Sequence, residues 1–182
     1  MTVEPPASAY DMGHKSEAES PATFAILVDN EPGVLHRVVG LFASRGYNIE
    51  SLTVAETDRK AHTSRITIVT RGTPHVLAQI EAQLQKMVST RHVQDVSKDP
   101  NGVERELALV KVRGTGPERV EALRISEIFR AKVIDTTTQS FIFEITGAPS
   151  KIDSFIDLMR PLGLVEVSRT GVLSIERGVE SL

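Results

Sequence analysis

DNEPGVLHRVVGLFASRGYNIESLTVA, residues 29–55, decides how this chain is read. An apolar strand, Phe24–Val28, runs into the polar turn Asp29-Asn30-Glu31-Pro32-Gly33. Val34, Leu35, Val38, Val39, Leu41 and Phe42 then recur at three- and four-residue spacings, which marks one face of a helix. Arg45-Gly46 stops the helix, and a second strand is expected from Tyr47-Asn48-Ile49 onward to Thr57. A strand–turn–helix of this kind aims free backbone N–H groups at a helix N-terminus, where a carboxylate can sit. No acid, base, nucleophile or metal ligand is concentrated beside it. The arrangement suits sensing a small molecule better than transforming one.

Working outward, Asp58–His62 reads as a polar hairpin loop and Arg65–Arg71 as a third strand. Thr73 and Pro74 form the N-cap and first position of a second helix, with Leu77, Ile80, Leu84 and Met87 on its apolar face. Arg91–Val96 is a fourth strand. After Lys98-Asp99-Pro100-Asn101-Gly102 the order repeats. Leu107–Val112 is a strand, and Pro117–Ala131 a helix carrying Val120, Leu123, Ile128 and Phe129. Val133–Thr137 and Phe141–Ile145 are paired strands. Lys151–Leu162 is a helix with Ile152, Phe155, Ile156 and Met159 on one face. Val165–Arg169 and a short Val172–Ile175 close the chain. The expected fold class is α+β, two tandem ferredoxin-like β-α-β-β-α-β units, each an antiparallel sheet with both helices on one face. The divisions are a disordered tail at 1–22, a first domain at 23–97, a linker at 98–104 and a second domain at 105–178. Alternating Ile, Val and Leu in the strands imply that a partner covers the other sheet face, hence an oligomer.

Composition narrows the function. The chain has 182 residues, net charge −3, 4% aromatics and no Cys. Basic clusters are no longer than pairs such as Arg59-Lys60, so nucleic acid and anionic membrane are poor partners. The lack of Cys removes disulfides and thiolate chemistry and suits a reducing, cytoplasmic setting. No apolar run reaches the ~18 residues of a membrane span.

Asn30, Gly33 and Asn48 are the candidate ligand-binding residues. Gly33 lets a ligand approach the backbone amides, and each Asn offers an amide donor and acceptor. On local pattern alone plain turn chemistry is the stronger account of Asn-Glu-Pro-Gly, since such a run makes turns anywhere. Gly114-Thr115-Gly116 lacks the third glycine of a dinucleotide loop, since Arg119 stands there. The histidines at 14, 36, 62, 75 and 92 show no short metal-ligand spacing, so no metal site is expected. Ser44, Ser51 and Ser64 lack a nucleophile elbow, so no catalytic residue is assigned.

The run from Asp29 to Leu35, followed by Gly46-Tyr47-Asn48-Ile49, resembles the ACT domain family of amino-acid-sensing modules. RVVGLFASRGYNIESLTVAET, SRITIVT and EIFRAKVIDTT extend this to a resemblance with the acetolactate synthase (acetohydroxyacid synthase) small regulatory subunit family over Phe24 to Gly178. The resemblance implies a homodimer joined through ACT sheets. It implies valine bound between the turn of one chain, at Asn30, Gly33, Val34 and Leu35, and Asn48 of its neighbour. Ala55 resembles a position linked to feedback sensitivity. It further implies a large catalytic partner holding thiamine diphosphate, Mg²⁺ and FAD, with no cofactor and no catalysis in this chain itself. The rival reading is a free-standing amino-acid sensor or transcriptional regulator. The missing helix-turn-helix and basic patch argue against its DNA-binding form.

Overall fold

The alternation of apolar residues in two sets of strands, each interrupted by two amphipathic helices, folds as two split βαβ units in succession. The computed structural model describes residues 18–99 and 102–178. The first unit comprises β1 (Ser20–Asp29), α1 (Val34–Arg45), β2 (Ser51–Asp58), β3 (Thr63–Gly72), α2 (Pro74–Gln85) and β4 (Thr90–Asp95). The second comprises β5 (Val103–Arg113), α3 (Pro117–Phe129), β6 (Lys132–Thr136), β7 (Ser140–Gly147), α4 (Pro149–Met159), β8 (Leu164–Arg169) and β9 (Leu173–Ile175). The sheets are antiparallel, ordered β2-β3-β1-β4 and β6-β7-β5-β8, with β9 on the N-terminal end of β5.

Each unit has its own core. In the first, Phe24, Ile26 and Val28 of β1 and Ile66 and Ile68 of β3 pack against Val38 and Phe42 of α1 and Leu77, Ile80 and Leu84 of α2. In the second, Ala108, Val110 and Val112 of β5 and Phe143 and Ile145 of β7 meet Ile152, Phe155 and Met159 of α4. Period-2 residues line the sheet face and period-3.6 residues line the helices, as burial of one face of each element requires.

Four details depart from the sequence reading. The tail assigned to 1–22 lies outside the described residues up to 17, but Ser20–Ala22 belongs to β1, with Ala22 buried against the core. Residues 47–49 are not strand. The amides of Gly46 and Tyr47 bond back to the Ala43 and Phe42 carbonyls, so the chain turns over the helix end before β2 begins at Ser51. Met87 lies past α2, in a turn closed by its own amide on Leu84 O, and packs on the core from there. The core face of α3 is Ala122, Ile125 and Ser126, whereas Val120 and Ile128 are each 68% exposed. Small residues at an i, i+4 spacing let α3 sit close to its neighbours. Ser126 satisfies its hydroxyl on Leu123 O at 2.7 Å.

The face of the first sheet opposite its helices is covered at its centre by the chain itself. Thr170–Glu176 leaves β8 and crosses it, contacting Ser51, Thr53, Arg65 and Gln94. Ala25 and Thr67, on that face, are buried. The expected covering partner is therefore, at this place, the C-terminal strand of the same chain.

Candidate functional site

Gly33 decides the geometry of the β1–α1 turn. Its φ of 85° is left-handed, and it caps α1 with no side-chain hydrogen bond. The usual Ser, Thr, Asp or Asn that would occupy the helix N-terminus is missing. The Val34 amide bonds to Glu31 O at 3.2 Å and the Arg37 amide to Gly33 O at 3.0 Å. Among the described residues no acceptor is recorded for the amides of Leu35 and His36 in the first turn. A carboxylate fits there on both hydrogen-bonding and dipole grounds. A Cβ at Gly33 would meet no heavy atom within 4 Å, so the approach is open.

The turn is held by residues remote in sequence. The Asp29 amide donates to Ser89 O at 2.9 Å and the Asn30 amide to His62 O at 2.7 Å. Arg91 Nε reaches Asp29 Oδ1 at 2.6 Å, and Arg37 Nη2 reaches Ser89 Oγ at 2.5 Å and Glu31 Oε2 at 3.5 Å. The hairpin supplying the His62 carbonyl is itself tied by Asp58, which accepts from the Lys60 and Ala61 amides. Those bonds, led by Ala61, hold the Asp58 carboxyl below its ordinary value. His62, Ser89 and Arg91 escaped the sequence reading because only the sheet pairing brings them to the turn.

The residues singled out from sequence lie in four places. Asn30 and Leu35 are exposed at the turn, and Asn30 Nδ2 donates to Glu56 Oε1 at 3.3 Å, at the far end of β2. Val34 points its side chain into the core, so its backbone alone faces the turn. Asn48 is exposed at the near end of β2, with its carbonyl fixed by Thr70 Oγ1 at 2.6 Å. Ala55 is exposed on β2 and pairs with Arg65. Between Ser51 and Glu56 the strand rises roughly 17 Å at its ordinary ~3.3 Å per residue. Within one chain, therefore, Asn48 and the turn stand at opposite ends of an edge strand and do not meet.

The second unit repeats the turn's backbone but not its chemistry. The Arg113 amide bonds to Gly163 O at 2.8 Å and the Gly114 amide to Gln139 O at 3.1 Å, matching the Asp29 and Asn30 bonds of the first. Pro117 then enters the first helical position and Glu118 puts a carboxylate of the chain itself in the first turn. That charge opposes a second anion there.

Among the described residues no group of three or more His, Asp or Glu side chains is arranged to hold a metal, and no helix is long and apolar enough to cross a membrane. A cleft of about 470 Å³ lies between the units, lined by Glu50, Ser51, Glu106, Asp153, Arg169 and Gly171 among others. Its polar groups are already paired. Arg71 holds Glu50 at 2.9 Å, and Arg169 holds Asp153 at 2.6 Å and also grips the buried Glu106.

Comparison with known proteins follows the same division of the chain. Residues 24–92 match the family described as AHAS small subunit-like ACT domain, and residues 105–178 the family described as small subunit of acetolactate synthase. The chain is 46% identical over 156 residues to a probable acetolactate synthase small subunit of Archaeoglobus fulgidus, covering 86% of this chain and 96% of that one. It is 45% identical over 155 residues to the acetolactate synthase isozyme 3 small subunit of Escherichia coli, covering 85% and 94%. The crystal structure of the Thermotoga maritima acetolactate synthase small subunit, 40% identical, superposes with a TM-score of 0.78 over 88% of this chain and 99% of that one. With an ACT-type turn, two ferredoxin-like units and identities at this level over nearly the full length of its relatives, the chain belongs to the acetolactate synthase small-subunit family.

Proposed function

We propose that the chain is the regulatory subunit of an acetolactate-forming complex. It docks on a catalytic large subunit, raises that subunit's activity, and lowers it again when valine binds to the first unit. The small subunits named above support the partner. The chain itself lacks a Gly-Asp-Gly stretch for a metal diphosphate, and thiamine diphosphate, Mg²⁺ and FAD fall to the large subunit.

The observation that carries the effector site is the open, uncapped N-terminus of α1 at Gly33. Its geometry calls for a second chain. β2 is an edge strand, and Val54 on it and Leu35 on α1 are exposed apolar residues at 45% and 39%. Antiparallel pairing of two β2 edges places the start of one strand opposite the end of the other. Asn48 of one protomer then comes to the Asn30–Gly33 turn of its partner, and each dimer has two equal sites. The helix N-terminus takes the valine carboxylate, and the Asn48 side chain takes a second polar group of the amino acid. Valine inhibits by binding the less active docked state more tightly than the active one, since equal affinity shifts nothing.

The test is acetolactate formation by the large subunit with and without saturating chain, then with valine. Higher turnover on adding the chain, reversed by valine, is the expected result. Unchanged turnover would remove the proposal and favour a free-standing sensor, and acetolactate made by this chain alone would overturn the assignment of the chemistry to the large subunit.

A further inference from the structure

The strand that carries the proposed effector contacts is also the strand that the C-terminal segment grips. On the face of β2 away from the helices stand Ser51 and Thr53. The Val172 amide donates to Ser51 Oγ at 3.0 Å, and Thr53 Oγ1 donates to Val172 O at 3.1 Å. One step inward on β3, Arg65 pairs with Ala55 in the ladder and donates through Nη2 to Ser174 O at 2.8 Å. Gln94 of β4 donates to Glu176. The segment thus spans the sheet from edge to edge. Its other side belongs to the second unit, where Leu173–Ile175 pairs with Val103–Arg105 of β5 and the Thr170 amide bonds to Leu107 O at 3.0 Å.

The seat is close but not fully satisfied. Val172 and Ser174 are buried, and a Cβ at Gly171, whose φ is 86°, would lie 2.6 Å from Ser51 Oγ and 2.9 Å from Thr53 Cγ2. Arg65 Nε and Ser174 Oγ are buried there without hydrogen-bond partners. Burial also lowers the affinity of the Arg65 guanidinium for its proton, against the pull of Glu176. Unpaired buried polar groups oppose the contact while the hydrogen bonds to β2 favour it. The seam therefore carries both the bonds that hold it and unpaired groups that a shift of the segment could pair.

We infer that Thr170–Glu176 is a coupling strap, which reports effector occupancy at β2 to the second unit by tightening or loosening its seat on Ser51, Thr53 and Arg65. The inference rests on the proposed effector site. The second unit then needs no amino-acid site of its own in order to take part in the response. Its long β5 receives the signal at Val103–Arg105 and carries it into the second sheet.

Two measurements on the full chain test this. Hydrogen exchange of the wild-type dimer, with valine at a concentration shown by calorimetry to saturate it, reads the amides of Val172–Ile175 directly. At least a threefold change in their exchange rates is expected. Unchanged rates with valine bound would overturn the strap. Separately, Ser51→Cys with Gly171→Cys places a single disulfide in a chain that otherwise has no Cys, at the point where a Cβ on residue 171 would lie 2.6 Å from Ser51 Oγ. Oxidised, this variant is expected to bind valine while its effect on the large subunit's activity falls at least fivefold, with recovery on reduction. A full valine response in the oxidised form would overturn the inference. If calorimetry finds no valine binding to wild type, the effector site itself falls, and the strap's role falls with it.

Discussion

At the scale of single residues, Gly33 and Asn48 divide the proposed recognition between backbone and side chain. Gly33 keeps the helix amides open because it has no side chain and accepts a left-handed φ. Asn48 presents a free amide group from a loop whose backbone Thr70 fixes. A hydrogen bond to a charged group contributes roughly 1.5–3 kcal/mol, and every ~1.4 kcal/mol is tenfold in affinity. Asn48→Ala is therefore expected to weaken valine binding roughly 10- to 100-fold, read by calorimetry, with activation of the large subunit retained. Gly33→Asp is expected to do more, because it brings a carboxylate to the place proposed for the valine carboxylate. Space is open around its Cβ, so folding suffers only the left-handed strain of roughly 1–2 kcal/mol. Wild-type valine affinity in a folded Gly33→Asp dimer would move the effector site elsewhere.

At the scale of elements, one arginine adds a charged tie between β5, β8 and α4 to their strand pairing and core packing. Arg169 of β8 bonds the nearly buried Glu106 of β5 in a two-pronged grip, and also Asp153 of α4. The Glu106 bond is the first cause, and the Asp153 bond a further one, of a guanidinium proton held more tightly than usual. The Glu106 side chain is 4% exposed and that of Arg169 34%. Removing the arginine leaves a carboxylate buried without its cation. Arg169→Met should cost roughly 2–4 kcal/mol by urea denaturation, toward the low end for breaking a buried pair because the arginine is partly hydrated. Adding Glu106→Gln should recover a large part of the loss, since the stranded charge is then gone. A double variant no more stable than Arg169→Met would show that packing, not charge, sets the cost.

At the scale of the whole molecule, the proposed dimer, whose effector site needs both chains, would link ligand, assembly and stability. A ligand that binds only the folded dimer adds about 2.7 kcal/mol at 100 times its dissociation constant. Valine at that level is expected to raise the melting temperature of the wild-type chain, and the melting temperature is expected to rise with protein concentration. Asn48→Ala should keep the concentration dependence and lose most of the valine shift at the same valine level. A melting temperature independent of concentration would place Asn48 and the turn in separate, unassociated molecules.

The order of strands and helices, the turn at Asp29–Gly33, the Thr73 cap and the apolar faces of α1, α2 and α4 were all legible in the sequence, because each follows from local periodicity and local turn chemistry. The structure alone decided what depends on contacts between distant residues. The core face of α3 runs through Ala122 and Ser126 because small residues permit close approach, and a hydrophobicity pattern rewards the large ones beside them. Leu35, which the same periodicity counts on the apolar face of α1, stays 39% exposed because the helix docks through Val34, Val38 and Phe42. Ser89, Arg91 and His62 reach the turn through strand pairing. The C-terminal strand covers a face that sequence patterning marked only as apolar. Period and propensity act over a few residues, whereas the closure of the turn and the seat of the strap join positions up to 121 residues apart. Those joins exist only once both sheets have formed.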